Sequence, residues 1–385
     1  MINKILIITF SSGLNPGTFM QAYGVQTGLK KIFPNAEVVF LKFPDFKWDK
    51  SKKGKHDKVW HVFLQKAFAA YRLTKYRSLE KKIFHFTKRI DLFDYEVNEA
   101  KTLLSLYDLI VVGSDTILEQ VTGGTKGQYG LNWYSSMLCN KPHILFAASA
   151  SPAKYATDKD IVGKLASIVG NFRFIGLRDN LTVNFFKDVL EVDSNKIHKQ
   201  PDPSYLLNID DFTLNNYYQR KLKGKKIAYY NFMPDFPYRK KLANMLRERG
   251  FTVVTSVYNP YADICIDTIG PKEWAGIFKY CTIVVTERFH DSLFALRNGV
   301  PVIAVDWENN RISETGDSKT YRILQDYGME KFHVNLRDES GLKLIMANID
   351  VLLSEFNEET VRNIGKAYTA EANEMLNLVK ENILF

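Results

Sequence analysis

Ile283-Val284-Val285-Thr286-Glu287-Arg288-Phe289-His290-Asp291-Ser292-Leu293-Phe294-Ala295-Leu296-Arg297-Asn298-Gly299-Val300-Pro301-Val302-Ile303-Ala304-Val305 is the stretch that decides the fold. Its β-branched opening, Ile283-Val284-Val285, reads as a buried strand. Thr286 to His290 is a sharply polar turn. The residues after it predict a helix whose core face takes Leu293, Leu296 and the Phe294-Ala295 step. Gly299 ends that helix, and Pro301 opens a second apolar run, the next strand. This is a βαβ unit, whose ligand end lies at the carboxyl ends of the strands, in line with the helix N-terminus. Arg288 and His290 fall there. A cation and an imidazole above unpaired backbone N–H groups suit a small anion.

The chain around this unit has 385 residues, enough for two domains. With 45% hydrophobic and 25% charged residues it has the composition of a globular protein. Its apolar runs are too short to span a bilayer. The first residues read as the approach to a strand and lack a signal-peptide cleavage pattern, so a cytoplasmic location is expected. Cys139, Cys265 and Cys281 are scattered and odd in number, which predicts buried thiols in a reducing compartment. No carboxylate or Cys/His cluster has ligand spacing, so no metal is expected. The net charge of +9 suits anionic partners: phosphorylated metabolites, nucleotide-linked sugars or an acidic membrane surface.

Taken in order, residues 4–10 predict a strand, 11–18 a turn rich in Gly, Ser and Asn, 19–33 a helix and 37–43 a second strand. Further strands are expected at 108–112, 143–148 and 173–177. Their ends carry Gly113-Ser114-Asp115, Ser149-Ala150-Ser151-Pro152 and Arg178-Asp179. Pro201 and Pro203 punctuate the close of this half, and 210–224 reads as a partly helical linker. Strands at 225–231, 251–257 and 332–335, with a helix at 238–249, make a second αβ half. Residues 350–384 have helical periodicity and no strand. The expected organisation is a first domain over 1–208, a second over 225–345, and C-terminal helices over 346–385 that cross back to the first.

Residues 47–89 differ in texture. Lys50, Lys52, Lys53, Lys55, Lys58, Lys66, Arg72, Lys75, Arg77, Lys81, Lys82, Lys88 and Arg89 face few acids, with Trp60, Phe63, Phe68, Tyr71, Tyr76, Phe84 and Phe86 interleaved. The stretch reads as a basic helical insertion in the first domain, over about 47–100. Basic residues among aromatics suit RNA or an anionic membrane surface. The plainer alternative is a solvated basic face whose aromatics pack on the parent domain. No RNA-reading motif accompanies it, so no nucleic acid is expected as a partner. Peripheral contact with an anionic membrane remains the expectation, at the inner face.

Several short segments together resemble the polysaccharide pyruvyl transferase family, over about residues 4–331. Residues 284–306 look like its strand–(Arg/Ser)-x-His–helix–Gly-x-Pro-Val-Ile signature. Asn15-Pro16-Gly17-Thr18-Phe19-Met20-Gln21-Ala22-Tyr23 is similar to its Asn-x-Gly-(x)3-Gln-Ala segment. Gly113-Ser114-Asp115 resembles its Gly-Ser-Asp turn, and Arg178-Asp179 its Arg-(Asp/Glu) strand end. Pro201-Asp202-Pro203-Ser204-Tyr205-Leu206-Leu207 and the Ser318-Lys319 stretch resemble two later segments. One departure stands out: where the family usually has Gln and then Trp after Gly-Ser-Asp, this chain has Thr116, Ile117 and Leu118, and the resemblance implies that this region touches the acceptor. The resemblance implies an α/β fold of two Rossmann-like domains facing a cleft, similar to GT-B glycosyltransferases. It also implies transfer of the enolpyruvyl unit of phosphoenolpyruvate to a sugar, lipid-linked or nucleotide-linked, giving a pyruvate ketal. No cofactor is needed, because phosphoenolpyruvate is the donor substrate.

The residues suit that chemistry. Phosphoenolpyruvate carries a carboxylate and a phosphate, each matched by an arginine fork. Arg178 and Arg288, one from each domain, are the candidates, with Ser114, Asn15 and Gln21 as further substrate-binding residues. Histidine titrates near neutral pH, so His290 can deliver the proton that the methylene carbon needs. Asp115 can orient or deprotonate the acceptor hydroxyl. Plainer readings stand beside these: His290 as a cap-region residue, Arg178-Asp179 as an ion pair capping the next helix, Ser114-Asp115 as an N-cap. The competing enzyme is a GT-B glycosyltransferase using a nucleotide sugar. Such enzymes commonly place a glutamate in the helix before the glycine to hold a ribose. Residues 293–298 here carry no acid after Asp291.

Overall fold

The computed structural model describes residues 2–42, 59–90, 97–118, 136, 138–150, 159–307 and 318–384. Residues 47–58 of the basic stretch, and Ser151-Pro152, lie outside them. Seven strands form the first sheet: β1 (Lys4–Ile8), β2 (Glu37–Lys42), β3 (His85–Arg89), β4 (Leu109–Val112), β5 (His143–Ala148), β6 (Phe174–Leu177) and β7 (Ile197–Lys199). Six form the second: β8 (Ile227–Asn231), β9 (Thr252–Thr255), β10 (Ile264–Cys265), β11 (Ile283–Thr286), β12 (Val302–Asp306) and β13 (His333–Asn335). The orders are β3-β2-β1-β4-β5-β6-β7 and β10-β9-β8-β11-β12-β13, and every pairing is parallel.

Parallel strands are covered by helices on both faces and so read as unbroken apolar runs. Leu109–Val112 (LIVV), His143–Ala148 (HILFAA) and Ile283–Thr286 (IVVT) are buried along their whole lengths. The strand order reverses between β1 and β4 in the first sheet and between β8 and β11 in the second. Crevices outside the strand ends at such reversals are where open α/β sheets take ligands.

The expectation of helix through residue 89 is corrected at its end. Helix α2 runs Val59–Ile83, and His85–Arg89 is a strand on the edge of the first sheet, in parallel register with β2. Basic side chains on an edge strand keep it from pairing with other chains. Charge alone therefore could not tell edge strand from solvated helix. The two-residue strand β10 and the three-residue strand β7 are too short to give a periodic signal, and neither was anticipated.

One apolar core is continuous from a face of the first sheet into the second half, joining Ile5, Phe19 and Phe146 to Tyr229, Trp274 and Leu293; a second cluster, including Leu6, Ile110 and Phe186, fills the other face of the first sheet. Helix α1 (Pro16–Ile32) is the main element at the junction. Its Gly17, Gly24 and Gly28 share one face, and that face has no room for side chains. A Cβ on Gly24 would lie 2.2 Å from the Pro203 carbonyl oxygen, and one on Gly28 would lie 2.7 Å from Leu206 Cδ1 and 3.0 Å from Leu376. The long helix Glu358–Leu384 thus packs on α1, where Lys31 Nζ also donates to Asn373 Oδ1. Arg297, buried at the end of the helix Phe289–Arg297, donates to the carbonyl oxygens of Ser204 (2.6 Å) and Leu207 (2.7 Å). A buried guanidinium held by two carbonyls ties the second half to the close of the first.

Candidate active site at the junction of the two halves

The site is organised by a carboxylate. Asp202, flanked by two prolines, caps the short helical turn Pro203–Leu206: its Oδ1 accepts from the Ser204 N–H (2.9 Å) and hydroxyl (2.7 Å). Its other oxygen accepts from Arg178 Nη1 at 2.8 Å and lies 3.6 Å from His290 Nε2. Burial by itself would raise this carboxyl. His290, Arg178 and Ser204 outweigh it and hold Asp202 well below the usual carboxylate range.

Arg178 leaves the end of β6 between two acids. Its Nη2 is 4.0 Å from Asp115 Oδ1, and its guanidinium lies over the Phe289 ring, 5.1 Å from the centroid. Asp115 has φ 71°, in the left-handed region that Asp tolerates through local hydrogen bonding, and its Oδ1 accepts from the Thr116 N–H at 2.8 Å. Burial opposes its charge, but Arg178, Lys319, His290 and the Thr116 N–H prevail and lower its pKa.

His290 occupies the first turn of the helix Phe289–Arg297, and its ring lies directly on Gly17 in the first turn of α1. A Cβ on Gly17 would fall 2.4 Å from His290 Nδ1. The N-termini of two helices, one from each half, thus meet at this imidazole. Asn15 holds the first of them, its Oδ1 accepting from the Gly17 N–H at 3.0 Å. His290 Nε2 is buried and makes no hydrogen bond. Its nearest charged neighbour is Asp202 Oδ2 at 3.6 Å, slightly beyond hydrogen-bond length, so a small shift closes the pair.

Of the residues singled out in the sequence, Arg178, Asp115 and His290 are gathered around Asp202. Arg288 is not part of that cluster. It sits at the N-cap of the Phe289–Arg297 helix, its guanidinium lies against the Met233 sulfur, and its charge acts on Glu287 and Asp291. Ser114 and Gln21 are fully buried and hydrogen-bonded to each other; Gln21 also donates to the Phe10 carbonyl at 2.7 Å. They form the floor where β1, β4 and α1 join. Asp179 caps the helix Asn180–Asn184 through the Thr182 N–H, and Arg322 Nη1 from the other half reaches it at 3.5 Å. Asp291 accepts from Asn231 Nδ2 and Thr286 Oγ1, both at 2.7 Å; burial, against those bonds, pushes its carboxyl up to about 6.

The sequence reading did not single out Asp202, Lys319, Arg322 or Gly17 as site residues. Asp202 had a signal, an acid locked between two prolines. Gly17, Gly24 and Gly28 had another, three glycines on one face of a helix, the mark of something packed close. Arg178, Lys199, Lys319 and Arg322 line a pocket beside the cluster, between β6, β7, the helix Lys319–Asp326 and the C-terminal helix. Asp179, Asp202, Asp326 and Glu371 line the same pocket, so its cations are met by as many carboxylates. Among the described residues no group of His, Cys, Asp and Glu side chains is arranged to hold a metal ion.

Two parallel αβ sheets joined through a buried helical junction, with a cluster of charged side chains between them, define a GT-B-type fold. Solved structures of similar architecture include a glycosyltransferase from Rickettsia africae, 12% identical, covering 100% of this chain and 99% of that one at a TM-score of 0.54. The UDP-GlcNAc 2-epimerase of Neisseria meningitidis, bound to UDP-GlcNAc, is 9% identical with a TM-score of 0.55, covering 99% of both chains. That of Methanocaldococcus jannaschii, in complex with UDP-GlcNAc and UDP, is 12% identical with a TM-score of 0.54, covering 96% of this chain and 100% of that one. At such identities the likeness speaks for the fold. No curated protein sequence matches the chain. The sequence profile of the polysaccharide pyruvyl transferases matches residues 15–309, and the chain belongs to that family.

Proposed function

We propose that this protein transfers the pyruvyl group of phosphoenolpyruvate to two hydroxyls of a sugar in a polysaccharide precursor, forming a ketal and releasing phosphate. The observation that carries the reading is His290 Nε2, a buried nitrogen 3.6 Å from an ionised Asp202 and between two helix N-termini. The two helix ends favour the donor's negative charge beside the imidazole. His290 gives its proton to the methylene carbon. The adjacent carbon becomes oxocarbenium-like and is attacked by the first sugar hydroxyl. The C–O bond to phosphate then breaks, and the second hydroxyl closes the ketal. One hydroxyl proton restores His290 and the other leaves with phosphate, so the step balances.

In this reading Arg178, Lys319 and Arg322 hold the donor's phosphate and carboxylate, and Asp115 orients the attacking hydroxyl. His290 Nε2 has no open surface, and the adjoining pocket reaches Asp202 and Phe289 beside it. A nucleotide-sugar donor is the weaker reading. The helix Phe289–Arg297 has no carboxylate after Asp291, and Asp291 is itself enclosed by Asn231 and Thr286.

The test is phosphate release from phosphoenolpyruvate in the presence of a panel of lipid-linked and nucleotide-linked sugars, beside UDP release from nucleotide sugars. Acceptor-dependent phosphate release is expected. Release of UDP with no use of phosphoenolpyruvate would overturn the reading. Since side-chain cations supply the neutralising charge, a chelator should leave the rate unchanged.

A further inference from the structure

Helix α2 has two faces with different tasks. One grips the second half of the protein. Phe68 stacks on Tyr258 with ring centroids 5.5 Å apart, and His61 Nδ1 is 3.0 Å from the Tyr258 hydroxyl. Arg72 Nη1 donates to the Ser256 carbonyl at 3.0 Å, Lys75 Nζ to the Thr268 carbonyl at 2.5 Å, and Tyr76 is buried. The opposite face is a continuous exposed stripe. At its N-terminal end it carries Trp60, 65% exposed, Phe63, 59% exposed, and Tyr71, 52% exposed, with the small residues Ala67 and Ala70 among them. Toward the C-terminus the same stripe turns to Arg77, Lys81 and Lys82.

An ordinary surface helix turns its apolar stripe inward and its polar side out. This one presents large aromatics to solvent on the face that the protein core does not use, and Trp60 stacks on Phe63 there. The charge is equally localised. Residues 47–89 hold fourteen Lys and Arg against three Asp and Glu, whereas the rest of the chain holds thirty-eight against forty. The whole positive balance of the protein therefore lies in this one stretch. No helix of the described residues is long and apolar enough to cross a membrane.

We propose that the exposed face of α2 is a docking surface for an anionic phospholipid bilayer. Trp60, Phe63 and Tyr71 enter the headgroup boundary, and Lys66, Arg77, Lys81 and Lys82 pair with lipid charge. The helix lies along the surface for about 33 Å from Trp60 to Lys82, at 1.5 Å per residue. Its inner face is fastened to the second half, so docking fixes the orientation of the junction relative to the membrane. The proposal does not depend on the reaction proposed above.

The experiment is flotation of the full chain with vesicles of phosphatidylcholine alone or rich in phosphatidylglycerol, at low and high salt. Retention on the anionic vesicles only, weakened by salt, is expected. Trp60→Ala with Phe63→Ala should lower partitioning roughly tenfold or more by removing the inserted apolar area. Lys81→Glu and Lys82→Glu should each lower it at least about fivefold, the worth of one basic residue near an anionic surface. These side chains are exposed, so all variants should melt with the parent. Brominated lipid should quench tryptophan fluorescence in the parent and distinctly less in Trp60→Phe. Failure to float with anionic vesicles, equal retention on neutral ones, or variants that bind as the parent does would each overturn the proposal. Binding of RNA without vesicle retention would overturn it in favour of a nucleic-acid partner.

Discussion

Substituting Gly17 by alanine separates the site from the stability of the fold. Gly17 lies in the first turn of α1, where alanine is the better helix former by up to about 1 kcal/mol. The added methyl would stand 2.4 Å from His290 Nδ1, 2.5 Å from Cγ and 2.6 Å from Cβ. Van der Waals contact for these atoms is about 3.5 Å, so the imidazole must retreat by roughly 1 Å. Because Cβ of His290 is also too close, a rotation of the ring alone does not relieve the clash; the helix start must shift. That shift breaks the 3.6 Å relation of Nε2 to Asp202 Oδ2. A displacement of about 1 Å at a group that transfers a proton lowers turnover by about 10²-fold. The assay is single-turnover phosphate release beside thermal unfolding. Turnover should fall by that order, with a melting temperature within a few degrees of the parent. If Gly17→Ala turns over at near-parental rate, His290 as held here is not the proton donor. Conversely, His290→Ala in the Gly17→Ala background should add little further loss, since both changes remove one function.

Four further outcomes follow from the positions of these side chains. Asp202→Asn keeps an acceptor for Ser204 but withdraws the charge beside His290; turnover should fall while donor affinity holds or rises, and a loss of affinity with normal turnover would refute its assigned part. Arg288→Ala should leave phosphoenolpyruvate affinity near the parent's by calorimetry, because its guanidinium is turned to Met233, and a loss of roughly 1.5–3 kcal/mol would place it in the donor site. Arg178→Ala is the poorer probe, because it strands the buried Asp202 and costs about 3–5 kcal/mol of stability. For Asp291 the folded-state pKa is raised from 3.8 to about 6, so its carboxyl favours the fold most at low pH, and that advantage is lost as pH rises from about 4 to about 6. Asp291→Asn should therefore gain stability relative to the parent across that window, by roughly 3 kcal/mol at most, and a pH-independent difference in chemical denaturation would refute the assignment.

Much of the architecture was written in local pattern. The runs at β1, β4, β5 and β11 are apolar because parallel strands are buried on both faces, and Gly299 and Pro301 punctuate the central unit as a chain turning from helix to strand must. Arg178, Asp115 and His290 were legible for the same reason: strand ends and helix starts are where such a fold exposes chemistry. The edge strand β3 was not legible, since basic residues suit an exposed edge as well as a solvated helix.

What the sequence could not decide was which distant groups meet. Asp202 lies 24 residues from Arg178 and 88 from His290, and only the docking of the two halves brings one carboxylate within 2.8 Å of the first and 3.6 Å of the second. That approach depends on the bare face of α1, where Gly17 admits His290 and Gly24 admits Pro203. Arg288, two residues from His290 in sequence, is directed instead toward Met233, because successive side chains at a helix start point to different sides. Periodicity and punctuation are properties of neighbouring residues and survive in the one-dimensional chain. The ionisation of Asp202 and its approach to His290 arise from burial and contact between halves, and these exist only once the core has formed.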